Sequence, residues 1–287
     1  MILVTGAAGK TGKAVVEALA KKGGHVRAMV RRGEHFAALE ALGATECFIA
    51  DFEDEESLRR AADGVRAVYH ICPNVSREEV THARAVAAAA QAQGAKRFVY
   101  HSVLHPQIEA MPHHWRKMRS EEVLFATGLD LTILQPTAYM QNILGAFPGI
   151  ITEGVFRVPY PVTTRLSLVD LQDVAEAAAL VLTTDGHVGA TYELTGTEPL
   201  SQVEVAAAIG TALNRPVRVE AETVEYWQVR MRAGGMGEYE CQTLAAMFRY
   251  YAAHGLIGNS HVLASLLDRK PNDLVAFLRR NAAQGEG

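Results

Sequence analysis

ILVTGAAGKTG, residues 2–12, sets an apolar run directly before three glycines, Gly6, Gly9 and Gly12. ILVT (2–5) reads as a short strand. TGKAVVEALAKK (11–22) reads as an amphipathic helix with Val15, Val16, Leu19 and Ala20 on one face. A strand, G-x-x-G-x-x-G and a helix in that order have a physical use. The first glycine permits a tight turn, a later one lets the backbone approach a pyrophosphate, and the last allows helix and strand to pack closely. The unpaired N–H groups and positive dipole end of the helix then face the phosphates. An ordinary glycine-rich turn has the same local sequence, so the rest of the chain decides between the two readings.

The alternation continues. HVRAMV (25–30), TECFIA (45–50), AVYHIC (67–72), RFVYHS (97–102) and LDLTILQP (129–136) read as strands. EHFAALEAL (34–42), the charged helix over 54–63 that starts after Asp54, THARAVAAAAQAQG (81–94) and residues 116–127 read as the helices between them. Repeated βα units predict an α/β fold, a Rossmann-type doubly wound parallel sheet. The second half is less regular. Short β-like pieces lie between 151 and 168, and Asp170 or Asp173 is placed to cap the helix DVAEAAALVL. TYELT (191–195) reads as a strand, 201–213 as a helix, and the chain beyond about 215 is mostly helical. Residues 1–150 are therefore expected to form the dinucleotide-binding domain, with 166–196 returning to it. Residues 151–287 are expected to form mainly a smaller, mostly helical substrate-side domain at the open end of the sheet.

The totals narrow the class. With 287 residues and 49% hydrophobic side chains, a full core can form. A net charge of −4 with mixed signs lacks the basic footprint of direct nucleic-acid binding. Cys47, Cys72 and Cys241 are odd in number and widely spaced, which predicts reduced thiols and a cytoplasmic setting. A signal-peptide pattern and an apolar run of about 18 residues are both missing, so no membrane association is expected.

The second strand sharpens the cofactor reading. Where an acidic residue would bind the ribose hydroxyls of NAD, this chain has Arg31 and Arg32, about 20 residues beyond the loop. A guanidinium forks onto a 2′-phosphate, so the pattern points to NADP(H), although two solvated arginines would read alike. The candidate cofactor contacts are Gly6, Ala8, Gly9, Lys10, Thr11 and Gly12 in the loop, and Arg31 and Arg32. Asp51 and Phe52 after the third strand, Cys72 and Pro73 after the fourth, and Ser102 after the fifth join them, with Lys117, Pro136 and Tyr139. Asp51 can equally be a turn-forming residue, and Cys72 a small buried apolar one.

The segment MPHHWRKMRSEEVL (111–124) carries the candidates for chemistry. The tyrosine–lysine pair of short-chain dehydrogenases would need tyrosine four residues before Lys117, and His113 stands there. Lys117 can orient a cofactor ribose or stabilise developing negative charge, or it can be an exposed helix lysine. His113 or His114 can supply a proton, or lie idle on the surface. A metal site from His101, His105, His113 and His114 is disfavoured, because these residues straddle a strand end with no carboxylate motif. Tyr139, Trp227, Met231, Met236 and Tyr239 can line a pocket or fill a core. Gly234, Gly235 and Gly237 mark a lid or an irregular loop.

Taken together, TGAAGKTG, the VRR strand end, ADFED, the K-x-x-x-E run at Lys117 and Glu121, LQPTAYMQN (134–142), VDLQDVAEAA (169–178) and YYAAHGLIGNSHVLASLLDRKPNDLVAFL (250–278) resemble the NmrA-like group of atypical short-chain dehydrogenases. The resemblance spans nearly the whole chain. It implies an NADP(H)-binding Rossmann domain and a smaller domain closing over a cleft. In reductases of the group with a lysine matching Lys117, that lysine contacts the nicotinamide ribose or assists catalysis, whereas other relatives have histidine there. The group holds NADPH-dependent reductases of quinones, dyes and plant phenolic ethers, and also non-catalytic redox sensors. Two expectations follow: an NADPH-dependent oxidoreductase acting on a quinone-like or conjugated carbonyl small molecule, or an NADP(H) sensor acting through a protein partner. A homodimer is compatible with either. A sugar-nucleotide epimerase is disfavoured for want of the tyrosine–lysine pair.

Overall fold

The computed structural model describes residues 1–282. The first six strands are β1 (Ile2–Val4), β2 (Val26–Val30), β3 (Glu46–Ile49), β4 (Ala67–His70), β5 (Arg97–His101) and β6 (Asp130–Pro136). Between them run α1 (Lys10–Lys21), α2 (Phe36–Ala41), α3 (Glu55–Ala62), α4 (Glu79–Ala92) and α5 (Pro112–Phe125). After β6 come β7 (Ala138–Tyr139), α6 (Phe147–Glu153), β8 (Val155–Val158), β9 (Arg165–Leu166), β10 (Leu168–Val169), α7 (Leu171–Thr183) and β11 (Thr191–Leu194). The remaining elements are β12 (Leu200–Ser201), α8 (Gln202–Leu213), β13 (Arg218–Ala221), α9 (Val224–Ala233), α10 (Glu238–His254), α11 (Ser260–Leu267) and α12 (Leu274–Ala282).

The main sheet has the order β11-β6-β5-β4-β1-β2-β3. Its first six strands pair in parallel, for example Leu3 with Arg27 and with Val68. β11 extends the sheet beyond β6 in the same direction. Gly189 N–H donates to Leu131 C=O, and Ile133 N–H to Ala190 C=O. The strand order reverses between β1 and β4, which is where a doubly wound sheet opens a crevice for a dinucleotide.

The chain divides into two compact units, each made of three segments. The first comprises Met1–Gln107, His114–Gln135 and Val174–Tyr192. The second comprises Ile108–His113, Pro136–Asp173 and the described residues from Glu193 onward. In the first unit, β1 and β4 are buried along their whole length, as strands covered on both faces must be. Leu3, Met29, Leu58, Val68, Val86, Phe98 and Ile133 belong to its core, which Phe52 and Tyr100 join. The local signals are plain. Val15, Val16 and Leu19 are the buried stripe of α1, and Asp54 caps α3 by accepting from the Glu56 and Ser57 N–H groups.

The second unit is helical with three two-stranded pairs: β7 with β10, β8 with β13, and β9 with β12. A capping box at Ser201 and Glu204 starts α8. Trp227, Cys241 and Ala245 form a core cluster there, with Met231, Met236 and Phe248 packed against it. Trp227 and Cys241 are buried there, and Met231 and Met236 are half-buried beside them. Gly234, Gly235 and Gly237 make a hydrogen-bonded turn between α9 and α10. Gly235 has φ 90°, and Met236 N–H donates to Met231 C=O at 3.0 Å. No helix among the described residues is long and apolar enough to cross a membrane.

Candidate functional site

The glycine loop takes the form its spacing demands. Gly6 lies in the left-handed region at φ 60°, where a Cβ would meet Ile71 Cγ2 and its carbonyl oxygen at 2.8 Å. At Gly12 a Cβ would stand 2.3 Å from the Gly6 oxygen and 2.6 Å from Ala7 Cα, so helix and loop touch backbone to backbone. Gly9 is different. It is exposed, has φ −73°, and a Cβ would find only the Gly6 oxygen, at 3.4 Å. Nothing inside the protein requires glycine there. The helix that starts after Gly9 has no side-chain cap and no acidic residue in its first turn. Its leading N–H groups are thus left for an external anion, with Lys10 exposed beside them and Thr11 buried. This donor set fits a pyrophosphate.

Arg31 and Arg32 leave the end of β2 exposed, and Arg32 lies 3.5 Å from Glu34. Asp51 is exposed, and its carboxylate accepts from the Glu53 N–H in an Asx turn at 3.1 Å, while the capping of α3 falls to Asp54. Phe52 is buried, stacked on His82 at 4.9 Å. Cys72 is buried with its sulfur 3.4 Å from His82 Nδ1, and burial pushes its thiol pKa well up, which favours the thiol over the thiolate. Pro73 is exposed beyond it. In the second unit Pro136 is buried, and Tyr139 is half-buried opposite Val169.

The structure puts Lys117 inside the first unit, only 4% exposed. Its ammonium donates to Glu79 Oε1 at 2.8 Å and to the His101 carbonyl at 2.9 Å, and lies 5.1 Å from the centre of the Tyr100 ring. Tyr100 donates its hydroxyl to the same Glu79 oxygen at 2.8 Å. Sequence reasoning missed Glu79 as a partner, because it precedes Lys117 by 38 residues. One turn beyond Lys117, Glu121 is also buried. Its Oε1 accepts from the Ser102 hydroxyl and from Gln135 Nε2 at 2.9 Å, and its Oε2 accepts from the same amide at 3.2 Å. Burial pushes the Glu121 carboxyl up, against the pull of the Ser102 and Gln135 hydrogen bonds and of Lys117.

The histidines divide. His101 is buried with Nδ1 2.5 Å from the Tyr69 hydroxyl, and burial, helped by Lys117, lowers its pKa to about 3. His114 is buried against the His105 carbonyl, and burial lowers its pKa to about 4. Both are neutral near pH 7. His113 is half-buried and falls in the second unit. No group of three or more metal-ligating side chains occurs among the described residues.

A parallel sheet with a strand-order reversal, a glycine loop and an uncapped helix start define a Rossmann-type dinucleotide-binding protein. Residues 1–278 match the NmrA-like family, and the chain belongs to it. It is 30% identical over 285 residues to an NAD(P)H azoreductase of Xenophilus azovorans, covering 99% of this chain and 98% of that protein. It is 28% identical over 269 residues to quinone oxidoreductase 2 of Escherichia coli, covering 93% of each. The crystal structure of an NADPH-dependent quinone oxidoreductase from Escherichia coli in complex with NADPH superposes with a TM-score of 0.87. That match has 26% identity over 98% of this chain and 100% of that one. NmrA, a negative transcriptional regulator solved with NADP, shares the fold at a TM-score of 0.81 and 20% identity, covering 100% of this chain and 97% of that one.

Proposed function

We propose that this protein is an NADPH-dependent oxidoreductase that reduces a quinone-like or conjugated carbonyl small molecule. The observation that carries the reading is the uncapped start of α1, with exposed Gly9 and no acidic residue, in the same chain as Arg31 and Arg32 at the end of β2. The α1 N–H groups and Lys10 hold the pyrophosphate, and the two arginines hold the 2′-phosphate. Bound there, the cofactor supplies a hydride. The protein binds and orients the reactants, which suits an acceptor that needs little activation before the hydride arrives. The relatives' names, a quinone oxidoreductase and an azoreductase, support an acceptor of this kind. Lys117 is not asked to reach the acceptor, because its ammonium is already engaged by Glu79 and the His101 carbonyl.

The test is NADPH oxidation by the purified protein against a panel of quinones, azo dyes and conjugated enones. Saturable turnover is the expected result. Cofactor binding without turnover of any acceptor would sink the oxidoreductase and leave the redox sensor.

Two substitutions separate the cofactor contacts from the fold. Arg31→Asp combined with Arg32→Ala is expected to weaken NADPH binding about 100-fold, as loss of charge-assisted bonds to a phosphate should, and to change NADH binding less than about threefold. Equal losses for both cofactors in a fluorescence titration would rule out the clamp. Gly12→Ala is expected to cost about 2 kcal/mol of stability through the backbone contact at 2.3 Å. Gly9→Ala should keep the urea midpoint near that of the parent and still weaken NADPH binding at least tenfold. If Gly9→Ala binds NADPH as the parent does, the pyrophosphate does not lie against this residue.

A further inference from the structure

Glu121, Ser102 and Gln135 gather at the carboxyl ends of β5 and β6. Ser102 follows β5 directly and its N–H donates to the Leu134 carbonyl at 2.8 Å. Gln135 is the penultimate residue of β6, and Glu121 comes from the inner face of α5. All three are buried, at 3%, 7% and 5% exposure in the order Ser102, Gln135, Glu121. The direct hydrogen-bond partners of this buried carboxyl are a hydroxyl and an amide, both neutral. Lys117, one turn earlier on α5, is tied to Glu79 of α4 and to the β5 carbonyl of His101. His101 of β5 and His114 of α5 are held neutral by burial. A buried carboxyl without a cation bonded to it favours its protonated form.

We propose that Glu121 and Ser102 form a proton relay, in which Glu121 stores a proton and Ser102 Oγ hands it to the reduced acceptor. The inference rests on the oxidoreductase reading above. A quinone or enone that has gained a hydride, and with it two electrons, carries a negative oxygen and needs one proton to become neutral. That oxygen forms a bond to the Ser102 hydroxyl proton as the Ser102 O–H bond breaks. Ser102 Oγ takes the Glu121 carboxyl proton along their shared hydrogen bond, whose direction reverses in this step, and the Glu121 carboxylate regains a proton from solvent, so one H⁺ is consumed per turnover. NADPH is the reductant and leaves as NADP⁺. Gln135 is a positioning residue, since its amide bonds both carboxyl oxygens and fixes the group toward Ser102.

The experiment compares the full-length parent with Glu121→Gln and Ser102→Ala. Parent kcat should fall as pH rises above the ordinary carboxylate range, by up to tenfold per unit, as the stored proton is lost. Each variant should lower kcat at least tenfold at the parent's best pH and flatten that fall, and Glu121→Gln should leave NADPH binding within threefold. A second measurement needs no turnover. Infrared titration of the cofactor-free protein should show a protonated carboxyl band persisting above the ordinary carboxylate range, absent from Glu121→Gln. If Glu121→Gln fails to fold, Ser102→Ala and the parent's titration still decide the matter. Parent turnover with a flat pH profile, or variants that keep the parent's profile, would overturn the relay and leave the oxidoreductase standing. A parent with no turnover on any acceptor would overturn both.

Discussion

Lys117→Ala is expected to destabilise the protein by about 3–5 kcal/mol, the cost of leaving a buried charge without its partner. Glu79 is wholly buried, and its Oε2 has no hydrogen-bond partner in the structure. Removing the ammonium would leave that carboxylate without its cation, still accepting from the Tyr100 hydroxyl, and would also strip the His101 carbonyl of a donor. Urea unfolding reads this directly as a lower midpoint. The paired replacement Glu79→Leu with Lys117→Met is expected to recover most of the loss, since an apolar pair of similar volume has no charge to desolvate. An inactive Lys117→Ala protein with the parent's stability would return the ammonium to the chemistry. Loss of activity in that variant is therefore interpretable only beside its unfolding curve.

Acid should weaken the protein between pH 6.5 and 4 through two buried histidines. The pKa values of His101 and His114 are held at about 3 and about 4, against 6.5 for a free imidazole. The unfolded chain binds these two protons as the pH falls through 6.5, and the folded chain does not until far lower. Stability is thus complete above 6.5 and lost as the pH drops. Each histidine accounts for about 3 kcal/mol by pH 4, at about 1.4 kcal/mol per unit. Urea midpoints at pH 7, 5.5 and 4.5 test this, and His114→Asn should reduce the slope. A midpoint that does not move between pH 7 and 4.5 would mean that neither ring is kept neutral.

The parts of the fold legible in the sequence are those written in short range. The glycine loop, the alternating β and α runs and Asp54 before its helix all depend on residues a few positions apart, and each appears within a few residues of its pattern; the largest shift is α5, which starts at Pro112 rather than at 116. The site was legible to the same extent. Gly12 packs as its spacing requires, while Lys117 reads one way as a residue and another in its surroundings. Its partner is on α4, brought close only because β4 and β5 are neighbours. Glu121 is visible in the K-x-x-x-E run, but its bonds to Ser102 and Gln135 depend on the meeting of α5, β5 and β6. Trp227, Met231 and Met236 fit a pocket wall or a core equally well by composition, and only packing separates the two. Helix α6 was missed because FPGIITE is short and rich in β-formers, with proline at its start.

The division of the chain into interleaved segments governs how the protein is made. On the ribosome, Met1 to Gln135 emerge with β6 as the outer strand of the growing sheet. The strand that covers its edge, β11, follows only at Thr191–Leu194, after Pro136–Asp173 has been committed to the other unit. Until then β6 presents unpaired backbone groups, an invitation to wrong partners. The sheet closes through contacts across long stretches of chain, which makes its completion slow. A nascent chain stalled or cut near residue 150 would therefore not be a finished cofactor-binding half. It would be an open sheet awaiting its last strand, and a natural client for chaperones.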